Sequence, residues 1–144
     1  MDYTMTLRIV VVSPPAGYIF FLEDDKGNPS SITESTGEDI TFDFDAIAKE
    51  NRRTGAPNFT GPFARGTSSK RFFYINIGKA GQENPSWDRR AKIGISEVSW
   101  STIKKVASDP NQVLMAWYMG TSEHGGPNCA TCELLDDGWV VAPR

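Results

Sequence analysis

The chain has 144 residues, with 15 Lys and Arg against 18 Asp and Glu, and a formal net charge of −3. A hydrophobic content of 39% is enough to build a core, which argues against global disorder. No apolar run approaches the ~20 residues needed to cross a bilayer, and the first residues do not resemble a signal peptide. We therefore expect a protein of the reducing cytoplasm with its two cysteines unpaired.

Positive charge is concentrated in the middle of the chain. Residues 49–92 contain ten Lys and Arg and three acids, which gives this segment a charge of +7 and leaves −10 elsewhere. Such asymmetry predicts an anionic partner for this basic segment. An equally good alternative is that acidic residues of the same chain neutralise it across the fold.

Short apolar segments separated by turn residues predict strands in the first half of the chain. Leu7–Val12 and Tyr18–Leu22 are two such segments, joined by a Pro/Gly turn. Residues 30–38 are polar and predict a loop. Ile40–Asp45 alternates apolar and polar side chains, the pattern of a half-buried strand. Residues 46–53 either continue this strand or form a helical turn, and the pattern leaves both open.

Further strands and one helix are predicted in the second half. Arg71–Ile77 is apolar on both faces, which indicates a central strand. Ala91–Ile95 alternates, so that Arg90 and Lys92 point outward. An apolar stripe, a serine cap and two lysines in the last turn predict a helix near residues 99–108. The closing strands are expected at Val113–Met119, Cys129–Leu135 and Trp139–Val141.

About eight short strands and one helix indicate a mainly β fold. We expect an antiparallel sandwich or a partly open barrel, formed as a single domain by residues 7–144 after an N-terminal extension of residues 1–6. The two-sided strand places Phe73 and Ile75 at the centre of the core. They are expected to pack against the apolar stripe of the helix or against Phe42 and Phe44.

Five segments carry a resemblance to known proteins. They are LRIVVVSPPAGYIFFLE (Leu7–Glu23), PNFTGPFARG (Pro57–Gly66), RFFYINIGKAGQ (Arg71–Gln82), SWDRRAKIGI (Ser86–Ile95) and GGPNCATCEL (Gly125–Leu134). In this order along the chain, they resemble a family of small bacterial proteins catalogued only as a domain of unknown function. The resemblance implies a single-domain bacterial protein of the cytoplasm with no established activity, and it assigns no catalytic or binding residue.

The Gly/Pro loop Gly61–Gly66 is the strongest candidate for a binding site. Its glycines allow backbone N–H groups to approach an anion, and Arg65 can hold a carboxylate or phosphate with two hydrogen bonds. Arg71, Arg89 and Arg90 are predicted to add charge to this ligand-binding site. In that role Arg65→Ala should change stability by no more than ~0.5 kcal/mol. The structural alternative is a rigid loop that plugs one end of the fold with phenylalanines.

Metal and cofactor sites are not predicted. Cys129 and Cys132 lie three apart, so on a strand their side chains point to opposite faces, and His124 is the only histidine. We interpret the cysteines as packing residues and the histidine as a loop residue. The acids at 23–25, 38–39, 43 and 45 lack the order of an EF-hand calcium loop.

Aromatic residues interleaved with basic ones also suggest a platform for single-stranded nucleic acid. The overall acidity of the chain weakens this alternative, so a nucleic-acid partner is not expected. The residues in question are Phe59, Phe63, Arg65, Arg71, Phe72, Tyr74, Trp87 and Arg89.

Three functional hypotheses follow from these patterns. The first is a non-enzymatic module that binds a small anionic ligand or an acidic protein surface through the basic segment. The second is an enzyme that holds an anionic substrate with an arginine clamp, which requires a concave pocket with a carboxylate, His or Tyr near those arginines. The third is a structural or self-associating protein whose basic and acidic patches meet.

Overall fold

The computed structural model describes residues 2–67, 70–95, 98–119 and 138–144. These residues form two five-stranded sheets and one helix. No helix in these ranges is long and apolar enough to span a membrane. The elements are β1 (Tyr3–Val12), β2 (Tyr18–Glu23), β3 (Pro29–Glu34), β4 (Ile40–Glu50), β5 (Pro57–Thr60), β6 (Arg65–Thr67), β7 (Lys70–Lys79), β8 (Arg89–Gly94), α1 (Trp100–Ala107), β9 (Gln112–Met119) and β10 (Val140–Pro143).

Sheet A has the strand order β10-β9-β1-β4-β5. Its central strand β1 pairs antiparallel with β4 and parallel with β9, through registers such as Leu7↔Phe44 and Leu7↔Leu114. The other pairs of this sheet are antiparallel. The expected antiparallel sheet therefore contains one parallel pair.

Sheet B is built around β7, which pairs along one edge with β8. Its other edge is shared by two strands, because β2 pairs with the last part of β7 and β6 with the first part. Strand β3 pairs with the free side of β2. The short strands β2 and β6 thus lie end to end along β7.

The main core lies between the two sheets, which is the sandwich alternative of the predicted fold. Phe73 and Ile75 are each 1% exposed, as expected for the two-sided strand. The ring of Phe73 lies 5.0 Å from that of Phe44, so the expected packing against the β4 face is confirmed. Ile103 and Val106 of α1 are buried in the same core, and Ser99 caps the helix by accepting from the backbone N–H of Thr102.

Several sequence-based boundaries were wrong. Strand β1 begins at Tyr3, so residues 3–6 lie within sheet A rather than ahead of it. Residues 29–34, predicted as part of a loop, form the edge strand β3. Of the two alternatives left open for residues 46–53, continuation of the strand holds as far as Glu50. The predicted strand Cys129–Leu135 lies outside the described residues.

Candidate functional site

The outer face of sheet B carries cationic and aromatic side chains from several strands. Because side chains alternate along a strand, burial of Phe73 and Ile75 in the core places Tyr74 and Asn76 on the opposite face. Strand β8 pairs with β7 so that Arg90 lies opposite Asn76. We call this surface the outer face; it comprises Glu23, Arg65, Phe72, Tyr74, Asn76, Trp87, Arg90 and Lys92.

Arg90 lies at the centre of the outer face and is held from four directions. Its guanidinium carbon is 3.7 Å from the ring centroid of Trp87 and 4.5 Å from that of Tyr74. Its Nε donates to Asn76 Oδ1 at 2.7 Å, and its Nη2 donates to Glu23 Oε1 at 3.1 Å. Cation–π contacts of this kind contribute roughly 0.5–2 kcal/mol each. Together these contacts hold the guanidinium in one conformation.

Arg65 contacts the same oxygen of the Glu23 carboxylate. Its Nη2 lies 3.4 Å from Glu23 Oε1 and donates to the carbonyl oxygen of Asp24 at 2.6 Å. The Glu23 side chain, only 16% exposed, therefore forms ion pairs with two arginines. Because Glu23 ends β2 and Arg65 begins β6, this contact ties together the two strands that share one edge of β7.

Two buried donors on the outer face have no acceptor among the described residues. They are Nε of Arg65 and Nδ2 of Asn76. Asn76 is fully buried, and its side-chain oxygen Oδ1 accepts a hydrogen bond from Arg90, whereas its Nδ2 has no acceptor among the described residues. A buried donor without an acceptor costs roughly 1–3 kcal/mol.

Lys92 extends the positive charge of the outer face. Its Nζ lies 4.2 Å from the ring centroid of Phe72, and none of the ion pairs found within the described ranges includes it. The rings of Phe72 and Tyr74 meet edge to face at 5.1 Å. With Arg65 and Arg90, Lys92 gives the outer face three cations against one carboxylate.

The structure brings together two of the four arginines predicted to bind a ligand. Arg65 and Arg90 converge on Glu23. Arg71 lies elsewhere: its Nε donates to Asn58 Oδ1 at 2.9 Å and its Nη1 to the carbonyl oxygen of Gly66 at 2.8 Å. Since Asn58 belongs to β5, Arg71 connects sheet B to sheet A. The backbone of Arg89, at the start of β8, pairs with that of Ile77 in β7. The side chain of Arg89 lies outside the described part of the structure.

The Gly/Pro loop packs against the core, as its structural alternative predicted. Phe59 is 1% exposed, and the ring of Phe63 meets that of Phe44 edge to face at 5.5 Å. The carbonyl oxygen of Pro62 accepts from the backbone N–H of Asp25 at 2.9 Å. Gly61 has a positive φ of 148°, a conformation that favours glycine. These contacts support a structural role for the loop.

Several of the acids considered for calcium bind other groups within the described residues. Asp24 Oδ1 accepts from the backbone N–H groups of Lys26 and Asn28. Asp43 forms a two-point pair with Arg8, and Asp45 accepts from the Thr6 hydroxyl. No group of three or more metal-ligating side chains is found among the residues described. His124, Cys129 and Cys132 lie outside those residues.

The three predicted arginines with described side chains line none of three cavities that described residues bound. The largest of these three, about 330 Å³, lies beside α1 and is lined by Tyr3, Glu50, Gly55, Trp100 and Lys104. The others, about 260 and 170 Å³, lie beside Arg144 and beside Gly78. The concave pocket that the enzyme hypothesis requires next to Arg65 or Arg90 is therefore not one of these three.

Sequence reasoning missed Glu23 and Asn76. Nothing in the local pattern distinguishes Glu23 from its acidic neighbours, and Asn76 interrupts an otherwise apolar strand. That interruption was a usable signal, because a polar residue within a two-sided apolar run requires a partner. The outward orientation predicted for Arg90 and Lys92 is consistent with their intermediate and exposed positions.

The fold and the outer face define a class: a two-sheet β-sandwich that presents cations stacked on aromatic rings. The chain belongs to the family of unknown function DUF5990, whose model matches residues 5–142. The family resemblance read from the five segments is thereby confirmed. Comparison with curated proteins found no match, and comparison with solved structures found none.

Proposed function

We propose that this protein is a non-enzymatic module that binds a carboxylate- or phosphate-bearing ligand on the outer face of sheet B. The observation that carries the proposal is the excess of charge there: Arg65 and Arg90 share the single carboxylate of Glu23, and Lys92 has no ion-pair partner among the described residues. The anionic group belongs either to a small molecule or to an acidic protein surface.

Preorganisation supports this proposal. Arg90 is fixed by two rings and two hydrogen bonds, and Lys92 is supported by Phe72. Cations held in place lose little conformational entropy when an anion binds, so more of the interaction energy appears as affinity. Trp87, 41% exposed, adds an apolar surface beside the charges.

The unpaired donors point to an oxygen acceptor as the missing partner. Arg65 Nε and Asn76 Nδ2 belong to side chains linked through the Glu23–Arg90 contacts. A ligand oxygen that reached one of these donors would supply the acceptor that the described residues lack.

A ligand titration followed by NMR tests the proposal. Inorganic phosphate, citrate and a short oligo-glutamate peptide should shift the backbone amides of Arg90 and Lys92 and the indole N–H of Trp87. Saturation at a hundredfold excess over Kd should stabilise the fold by ~2.7 kcal/mol. Citrate or phosphate binding indicates a small-molecule ligand, and binding of the peptide alone indicates an acidic protein surface.

Matched variants decide whether the outer face is responsible. Lys92→Gln should weaken binding, whereas Lys105→Gln, the same charge change on the exposed side of α1, should not. Equal weakening by both variants would mean only general charge attraction. If no anionic probe shifts the outer-face resonances, the proposal is wrong.

A further inference from the structure

The cavity beside α1 is a second place where the structure assembles binding chemistry. It lies between the start of β1, the end of β4 and the first turns of α1, and its volume is about 330 Å³. That volume is at the lower end of the range for small-molecule sites, roughly 300–1,000 Å³. The cavity thus suits a compact ligand.

The walls of this cavity are fixed by hydrogen bonds. The indole N–H of Trp100 donates to the carbonyl oxygen of Gly55 at 2.7 Å. Two backbone hydrogen bonds close the turn that carries Gly55. Gly55 donates to the carbonyl oxygen of Asn51 at 2.7 Å, and Asn51 donates to that of Ala56 at 2.8 Å. Gly55 has a φ of 73°, which favours glycine at this position. The β4–β5 turn and the first turn of the helix therefore form one rigid unit.

The polar atom of Trp100 is satisfied by that bond, which leaves its ring as an apolar wall. The ring centroids of Tyr3 and Trp100 are 5.9 Å apart and the planes are tilted by 56°. Two rings in this arrangement form an angled wall against which a flat or aliphatic group can pack. Both side chains are partly exposed, so the wall is accessible from solvent.

Two opposite charges line the same cavity without pairing with each other. Glu50 contributes a carboxylate and Lys104 an ammonium group, four residues after Trp100 and hence on the same side of the helix. No ion pair found in the described part of the chain includes Glu50 or Lys104. An anionic ligand alone would satisfy only Lys104, and a cationic ligand alone only Glu50.

We propose that this cavity binds a small zwitterion of the amino-acid type, with its ammonium group toward Glu50, its carboxylate toward Lys104 and its apolar side chain against Tyr3 and Trp100. The proposal is independent of the outer face of sheet B. For a ligand of this size, ordinary ligand efficiency corresponds to an affinity in the millimolar range.

An NMR titration with three related probes tests it. L-Phenylalanine carries both charges, phenethylamine lacks the carboxylate, and 3-phenylpropionate lacks the ammonium group. L-Phenylalanine at millimolar concentration should shift the indole N–H of Trp100 and the amide of Gly55 and leave Lys92 unchanged. Each single-charge probe should bind about two- to fivefold more weakly, the effect of one exposed ion pair.

Charge variants separate this site from nonspecific adsorption. Glu50→Gln and Lys104→Gln should each weaken L-phenylalanine binding about two- to fivefold, and Lys105→Gln, which does not line the cavity, should have no effect. Glu50→Gln should not weaken 3-phenylpropionate binding, because that probe has no ammonium group to pair with the carboxylate. Equal affinity of all three probes, or no shift of the Trp100 indole, would overturn the proposal.

Discussion

Arg65 is the residue whose interpretation changes most between sequence and structure. Its position after a glycine-rich loop suggested a side chain free to hold a ligand. In the structure its Nη2 donates to the carbonyl oxygen of Asp24 and contacts the carboxylate of Glu23. The same guanidinium therefore supports the junction of β2 and β6 and adds charge to the outer face.

Arg65→Ala should lower the free energy of unfolding by about 1–2 kcal/mol, more than a purely ligand-binding residue would. The reason is that the variant leaves the carbonyl of Asp24 and part of the Glu23 carboxylate without their donor. The value is at the low end for charged hydrogen bonds because the Arg65 side chain is 25% exposed. Urea denaturation of the variant and the wild type measures it. If the free energy of unfolding falls by no more than ~0.5 kcal/mol, Arg65 contributes little to the fold and serves only a ligand.

Phe73→Ala should cost about 3–5 kcal/mol, because the ring is 1% exposed and its removal leaves a cavity between the sheets. The alanine side chain would no longer pack against the rings of Phe44 and Trp139, whose centroids lie 5.0 and 6.5 Å from that of Phe73. The same denaturation series provides the measurement. Phe72→Ala, on the outer face, serves as the control and should cost clearly less. Similar losses for the two variants would contradict the placement of the core.

The segment between β7 and β8 is held directly against sheet B. The amide of Asp88 donates to the carbonyl oxygen of Ile77 at 3.0 Å, and the carbonyl oxygen of Ser86 lies close above Gly78. This approach is possible because Gly78 has no side chain. The segment contains Trp87, whose ring stacks on Arg90. The position of this ring on the outer face therefore depends on Gly78 in β7.

Gly78→Ala should destabilise the fold by about 1–3 kcal/mol and loosen the stacking of Trp87 on Arg90, because the new methyl group would overlap the carbonyl oxygen of Ser86. Thermal unfolding and tryptophan fluorescence report the two effects. Gly94→Ala in β8 is the matched control, since a methyl group at that position would meet no atom within 4 Å. If Gly78→Ala behaves like Gly94→Ala, the segment is not held in this way.

The β2–β3 turn contains a carboxylate with a shifted pKa. A backbone hydrogen bond from Asn28, assisted by one from Lys26, holds the pKa of Asp24 below its ordinary 3.8. A lowered native pKa stabilises the fold above the unfolded pKa, and that contribution is lost as the pH falls through the native value. The stability difference between wild type and Asp24→Asn should therefore shrink below about pH 4.

Thermal unfolding between pH 2 and 7 measures that difference, the range chosen to span the ordinary aspartate pKa. Asp24→Asn is the suitable comparison because an asparagine oxygen can still accept the two backbone hydrogen bonds but does not titrate in this range. A difference that stays constant across the range would contradict the role assigned to the Asp24 charge.

At the scale of whole elements, hydrophobic periodicity predicted the strands that bury one face. The alternation Ile40, Phe42, Phe44 is reproduced in the burial of β4, and the apolar positions of β8 face the core. Strand β3 was missed because it lies at an edge with mostly exposed side chains, so no burial pattern marks it. Strands β5 and β6 were missed because they are only four and three residues long.

For the candidate site, the sequence indicated charge but not partners. The basic segment predicted the arginines, whereas the convergence of Arg65 and Arg90 on Glu23 depends on β2 and β6 sharing an edge of β7. That arrangement joins residues 67 positions apart along the chain, and no local pattern encodes it. The position of Arg71, apart from Arg65 and Arg90, was not encoded locally either, because its partner Asn58 belongs to the other sheet.

On the scale of the whole molecule, part of the basic middle is neutralised within the chain. Glu23 pairs with Arg65 and Arg90, and Asp2 lies 3.9 Å from Lys49. Outside the segment, Arg8 makes a two-point pair with Asp43, and the hydrogen bond that Arg8 donates to that carboxylate raises the pKa of Arg8. Intramolecular pairing of this kind reduces the tendency of basic and acidic patches to join separate molecules.

We therefore expect the protein to sediment as a monomer at both low and high ionic strength. Electrostatic self-association would weaken as salt shortens the Debye length from roughly 30 Å at 0.01 M to about 10 Å at 0.1 M. Sedimentation velocity at these two salt concentrations distinguishes the cases. A larger species at low salt that dissociates at high salt would favour the self-associating alternative over a binding module.

The central position of β1 has a consequence for the time course of synthesis. One edge of β1 can pair with β4 once about fifty residues have been made, but its other edge pairs with β9, whose Leu114 meets Leu7. At about 5–20 residues per second, roughly 5–20 s pass between the synthesis of β1 and that of β9. Throughout this interval an apolar strand exposes unpaired backbone groups, which are a template for pairing with other chains. Because this pairing joins distant parts of the chain, we expect slower folding than for a sheet whose neighbouring strands follow one another in sequence.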